Sequence, residues 1–124
     1  MKAVTIAWFE IPVNDMKRAT SFYEAVFETT LTPQNFGDVL MAFFPGQDSK
    51  NGAPGSLMKY ESYVPSEEGS LVYFSCEDVQ NELNRVASAG GIIRQEKTQI
   101  SPEHGYMAVV IDTEGNRIAL HSTI

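Results

Sequence analysis

The pattern of apolar and polar positions divides the chain into short strands and two helices. Thr5 to Val13 alternates in character and is rich in β-formers, which predicts a strand. Asp15 then offers an N-cap to a helix over Met16 to Glu28. There Ala19, Phe22, Tyr23, Val26 and Phe27 recur at helical spacing and form one apolar face. Thr29 to Leu31 begins a strand, Pro33 to Gly37 reads as a turn, and Val39 to Phe44 is a compact apolar strand. Pro45 to Pro54 collects Gly, Asp, Ser, Asn and Pro and reads as a loop, followed by a strand over Ser56 to Tyr60.

After the polar stretch Tyr63 to Gly69 the pattern restarts. Ser70 to Cys76 reads as a strand. Asp78 is an N-cap, and Val79, Leu83, Val86 and Ala87 give the apolar face of a helix that Gly90-Gly91 terminates. Ile92 to Gln95 and Lys97 to Ile100 form a strand region, Pro102 to Gly105 a turn, and Tyr106 to Asp112 a strand. Thr113-Glu114-Gly115-Asn116 is the clearest hairpin turn in the chain, and Arg117 to Ser122 is the last strand. The halves align: Trp8 to Met16 lies over Leu71 to Val79 at a shift of 63, with the capping Asp and the following hydrophobe coinciding. Met41 to Phe44 lies over Met107 to Val110 at a shift of 66, and Ser56-Leu57 over Ala119-Leu120 again at 63. The order of elements is therefore a duplicated β-α-β-β-β unit within one domain. The first unit covers about 1–62, the linker 63–69, and the second unit about 70–124. Two half-units that cannot bury their own sheets are expected to combine into one cupped assembly.

Composition narrows the function. With 43% hydrophobic and 20% charged residues the chain can build a core. A formal net charge of −7 disfavours binding to nucleic acid. No run approaches the roughly 20 apolar residues that span a bilayer, and the N-terminus enters a strand-like run with no signal-peptide pattern. Cys76 is the only cysteine, so no internal disulfide forms. These features predict a cytoplasmic protein with no membrane or nucleic-acid partner.

Several residues carry a resemblance. They are Phe9-Glu10-Ile11-Pro12-Val13-Asn14-Asp15-Met16 with Ala19, Phe22-Tyr23 and Val26-Phe27, then Asp78-Val79, Ala89-Gly90-Gly91 and Gly105-Tyr106. Above all there is the terminal Asp112-Thr113-Glu114-Gly115-Asn116-Arg117-Ile118-Ala119-Leu120. Together they resemble the vicinal oxygen chelate superfamily, which includes glyoxalase I, bleomycin-resistance proteins and extradiol dioxygenases. The resemblance implies an α+β fold of two βαβββ modules forming a cupped mixed β-sheet, and a homodimer. It also implies a divalent metal held by four inward side chains, one from the first and one from the last strand of each module. By alignment those positions are Trp8, Ser56, Leu71 and Ala119. Indole, isobutyl and methyl groups donate nothing to a metal, and a lone serine hydroxyl is a poor ligand, so neither a metal nor another cofactor is expected.

Strand alternation puts Glu10, Met58, Tyr73, Arg117 and His121 on the same faces as those four positions. The nine residues would line a cavity for a small organic ligand. Trp8 has two readings, core packing or a stacking wall; Glu10, Arg117 and His121 are each either surface groups or polar anchors. His104 reads as a loop residue and Cys76 as a small buried hydrophobe. Asn51-Gly52-Ala53-Pro54-Gly55 lacks the Lys and helix of a phosphate loop. The first functional expectation is a metal-independent small-molecule-binding protein with no catalytic residue. The second is a lyase or isomerase resembling glyoxalase I with a relocated metal site at Glu10 and His121. The third is a non-catalytic dimeric accessory protein.

Overall fold

The computed structural model describes residues 1–46 and 52–124; the part of the Pro45 to Pro54 loop that falls on 47–51 lies outside the described residues. The chain runs β1 (Phe9–Pro12), α1 (Met16–Phe27), β2 (Thr32–Asn35), β3 (Leu40–Phe43) and β4 (Gly55–Lys59). It continues β5 (Tyr73–Ser75), α2 (Val79–Val86), β6 (Ile92–Ser101), β7 (Gly105–Ile111) and β8 (Arg117–Ser122). These strands form two four-stranded mixed sheets, ordered β1-β4-β3-β2 and β5-β8-β7-β6. In each, the first strand pairs in parallel with the last and the others run antiparallel. Glu10 lies in register with Ser56, and Tyr73 with Ala119, so both ends of each parallel pair repeat at the expected shift of 63. Phe43 opposite Ser56 and Val109 opposite Ala119 repeat at 66.

Capping and amphipathicity form the helices as expected. The Asp15 carboxylate accepts from the Arg18 amide at 3.0 Å and that of Asp78 from the Gln80 amide at 2.9 Å. Ala19, Phe22, Tyr23 and Val26 of α1, and Val79, Leu83 and Val86 of α2, are buried. They pack on Ile11, Ala42 and Leu57 of the first sheet and Ala108, Val110, Ile118 and Leu120 of the second in one core. Ala87, read as part of the α2 face, is exposed because the helix ends one residue earlier. None of the helices among the described residues is long and apolar enough to cross a membrane.

Three strands differ from the sequence reading. The Thr5 to Val13 strand shortens to β1, because beyond Gly55 its partner strand meets Pro54, which has no amide hydrogen to donate; the Phe9 amide to the Pro54 carbonyl, at 3.2 Å, is the last rung. The strand begun at Thr29 starts instead at Thr32, since the Leu31 amide is taken by the Glu24 carboxylate at 2.9 Å. Pro33, read as opening a turn, lies within β2, an edge strand, where a proline is tolerated. The turn falls later and is closed by the Phe36 amide on the Val39 carbonyl at 2.9 Å. The Ser70 to Cys76 strand shortens to β5.

The two halves are locked by the β7–β8 turn. Gly115 takes φ 93°, a conformation that favours glycine, and lets the turn close. The Glu114 side chain, fully buried, accepts from the Asn14 and Asp15 amides at 2.8 Å each and from Arg18 Nε at 2.7 Å and Nη2 at 3.0 Å. Asp112 accepts from the Tyr23 hydroxyl at 2.6 Å and from the Glu114 and Asn116 amides at 2.8 and 2.9 Å. Asn116 donates to the Pro12 carbonyl at 2.7 Å, occupying the free edge of β1. On the far side of α1, Arg85 of α2 donates to the Val26 carbonyl at 2.7 Å. Between these contacts Phe9, Tyr23, Phe27, Phe44 and Phe74 form an aromatic cluster from both halves.

Burial pushes the Glu114 carboxyl up, but hydrogen bonds from Arg18, Asp15, Asn14 and Thr113 outweigh it and hold the group at about 2, against an ordinary 4.5. A carboxylate held below its unfolded value contributes stability that is present above that value and is lost as the pH falls through the folded one. Glu114→Gln should therefore destabilise the protein by about 2 kcal/mol at pH 7, less than a fully buried pair because Arg18 is half exposed. The difference from the parent should shrink as the pH falls from about 4.5 towards 2. Urea denaturation at both pH values checks this; an equal gap at both would refute the linkage.

Candidate functional site

Because Ile11, Leu57 and Ala42 point into the core, their alternating neighbours occupy the opposite, helix-free face of the first sheet. That face carries Trp8, Glu10, Ser56, Met58, Met41 and Phe43. On the second sheet the same logic, from Phe74, Leu120 and Val110, puts Leu71, Tyr73, Arg117, Ala119 and His121 on the helix-free face with Met107 and Val109. Register and alternation thus distribute seven of the nine expected site residues over two equivalent faces, and Trp8 and Leu71 lie one and two residues before β1 and β5.

They are not equally available. Glu10 and Tyr73, which occupy equivalent positions, are exposed, Tyr73 at 50%. Trp8, Met58, Leu71, Arg117 and His121 are half-buried, while Ser56 and Ala119 are fully buried. Trp8 packs edge-on against Phe43, ring centres 5.2 Å apart. Phe43 had not been singled out from the sequence; its two-residue spacing from Met41 on an alternating strand was the available signal. Several cavities lie beside these faces, and one of about 390 Å³ has Met58 in its wall with Val39, Tyr60 and Tyr63. A larger one, about 670 Å³, surrounds the free edge of β5 and is walled by Leu71, Tyr73, Phe9, Phe74 and Ile6. A smaller one, about 130 Å³, lies between β1, the segment before β5, and β8, and has Glu10 and Arg117 among its walls with Ser66, Glu68 and Asn116.

Glu10 therefore shares a cavity with Arg117. His121 is not in that wall; its Nε2 is engaged with the His104 carbonyl at 2.6 Å. His104 itself is an exposed turn residue whose Nδ1 meets the Ser101 hydroxyl at 2.8 Å. Arg117 donates through Nη2 to the Gly69 carbonyl at 3.0 Å, and its buried Nε has no partner among the described residues. Burial, then the neighbouring Glu82 carboxylate, pushes the Cys76 thiol up to about 12, so it stays protonated at neutral pH and is no nucleophile.

The four positions that the resemblance assigns to a metal hold an indole, a hydroxyl, an isobutyl and a methyl group. This donor set does not suit a divalent ion, which needs imidazole, carboxylate or thiolate. Among the described residues no three His, Cys, Asp or Glu side chains are grouped so as to hold a metal. The faces can instead present aromatic and aliphatic surface with a few hydrogen-bonding groups, the composition of a site for an organic molecule.

Comparisons with known proteins agree with this architecture. The glyoxalase I from Zea mays superposes with a TM-score of 0.74 at 18% identity over 98% of this chain and 48% of that one, so this chain spans about half the maize protein's length. A glyoxalase-related enzyme from Fulvimarina pelagi gives 0.69 at 13% identity, covering 95% and 87%. An antibiotic-binding protein from Streptomyces sp. gives 0.62 at 22% identity, covering 98% of both chains. No curated protein matches the sequence significantly. The family model described as the Glyoxalase/Bleomycin resistance protein/Dioxygenase superfamily matches residues 5–120, and the chain belongs to that superfamily.

Proposed function

We propose that this chain is a metal-independent binding protein for small, mainly apolar or aromatic molecules, acting in the cytoplasm as a homodimer. The observation that carries the reading is the side-chain chemistry at Trp8, Ser56, Leu71 and Ala119. Ser56 and Ala119 repeat in register across the duplicated frame, and with Trp8 and Leu71 they offer one hydroxyl and no strong metal donor. Around them stand Phe43, Met58, Tyr73 and Met107, groups that offer dispersion and stacking to an organic ligand. The likeness to an antibiotic-binding protein along the full length of both chains supports the same direction. The lyase or isomerase reading finds less support, because Glu10 and His121 face different partners.

What the faces leave open supports the dimer reading. Tyr73 on the second face, with Ile6 beside it, is exposed at 50 and 72%, more apolar surface than water favours. A second copy would cover it and complete the cavity. The match of this chain to about half of the maize glyoxalase I supports two such units working together.

A thermal-shift screen of aromatic and drug-like compounds tests the binding reading. A ligand at a hundred times its Kd should add about 2.7 kcal/mol, raising Tm by roughly 10 °C, and the rise should survive a chelator. Stabilisation that requires an added divalent metal would overturn it, as would a screen in which nothing binds. Sedimentation equilibrium at micromolar concentration should give the mass of two 13.7 kDa chains; a monomer mass would remove the dimer.

A further inference from the structure

Ser56 and Ala119 are the two fully buried site residues, and of these only Ser56 carries a polar side chain. It lies on the helix-free face of β4, where its strand neighbour Met58 is only half-buried and Glu10 beside it is exposed. Yet its own exposure is 0%, and its hydroxyl has no hydrogen-bond partner among the described residues. The cover is Trp8. That residue approaches from the β1 side and meets Phe43 on β3, ring centres 5.2 Å apart. Strand β4 runs between β1 and β3, so the two outer strands are about 10 Å apart. Ser56 is the β4 residue in register with both Glu10 and Phe43. An indole that reaches Phe43 from the β1 side crosses β4 over the stretch that ends at Ser56.

We infer that Trp8 is the lid of an aromatic slot whose floor is the Ser56 hydroxyl and whose end wall is Phe43. The ligand class is a flat aromatic molecule carrying a hydroxyl or carbonyl group. On binding, its ring takes the place of the indole against Phe43, and its oxygen hydrogen-bonds to Ser56 Oγ, giving the buried hydroxyl the partner it lacks. The lid is free to move on one side. Trp8 lies one residue outside β1, and the ladder of that strand begins only at the Phe9 amide. Glu10, in register with Ser56, is exposed. This inference rests on the small-molecule reading above and adds to it the class of ligand and the groups that recognise it.

The test uses a matched pair of probes, 2-naphthol and naphthalene, that differ by one hydroxyl. Trp8 is the only tryptophan, so isotope-labelled protein shows a single indole N–H resonance. Titration with 2-naphthol should shift that resonance, with an affinity about 5- to 10-fold above that of naphthalene, the worth of one neutral hydrogen bond. In Ser56→Ala the preference should fall below twofold while naphthalene binds as before. The variant should keep its fold, because Ala119 already occupies the equivalent position of the second sheet. Without any probe its Tm should rise, since an unpartnered buried hydroxyl has been removed. If the probes raise Tm while the indole resonance stays still, the lid is wrong and the small-molecule reading survives. An equal preference in parent and Ser56→Ala overturns the floor. If neither probe binds, the slot does not open and the inference fails, while the wider reading is judged by its own compound screen.

Discussion

A buried carboxylate has to be surrounded by donors, and the way Glu114 meets that demand sets the relation between the two halves of the molecule. Beside the adjacent Thr113 hydroxyl, its donors are the Asn14 and Asp15 amides and the Arg18 guanidinium, which lie at the start of α1 in the other half. Free amide hydrogens and partial positive charge gather at a helix N-terminus, so the start of α1 is where an anion is most readily held. Asp112, two residues earlier, fixes the turn from within through the Glu114 and Asn116 amides and reaches across to Tyr23. One hairpin turn of the second unit therefore caps the first helix of the other. A shift of the halves that kept Glu114 buried but took it from these donors would leave an uncompensated charge, which is strongly destabilising.

With the halves fixed through their helix side and the turn, the opposite faces of both sheets remain open. This division lets the site vary without disturbing the fold. The core consists of residues such as Ile11, Leu57, Phe74 and Leu120, which repeat in register. Their alternating neighbours do not repeat: Glu10 stands where the other half has Tyr73, and Ser56 where it has Ala119. The two faces have the same backbone and different chemistry.

Much of this was legible in the chain because it depends on local rules. Asp15 and Asp78 cap helices by chemistry that acts over two or three residues, and the Gly115 turn and the terminal strand Arg117–Ser122 fall where the pattern puts them. The duplication was legible because the shifts of 63 and 66 are register relations that the sheets preserve. What was hidden depends on distant partners. The end of β1 is decided by Pro54, some 45 residues later, whose missing amide stops the ladder. Pro33 sits in a strand because β2 is an edge. Sequence alternation assigned Trp8 and Ser56 to one face, but only the order β1-β4-β3 shows that Trp8 reaches across β4 to touch Phe43.

The side chain at Ser56 is the least economical feature of that face. A hydroxyl sealed from water without a partner costs on the order of 1 kcal/mol or more. Ala119, fully buried in the equivalent place, shows that this frame accepts a methyl group there with no such cost. Packing therefore does not account for the hydroxyl, and the metal chemistry of the position does not either, since a single serine among an indole, a leucine and an alanine holds no ion. A local violation of the rule that buried polar groups are paired, in an otherwise consistent fold, is the mark of a group whose partner arrives from outside. The open face, the Trp8–Phe43 pair and a hydroxyl without a partner among the described residues are close together on this sheet.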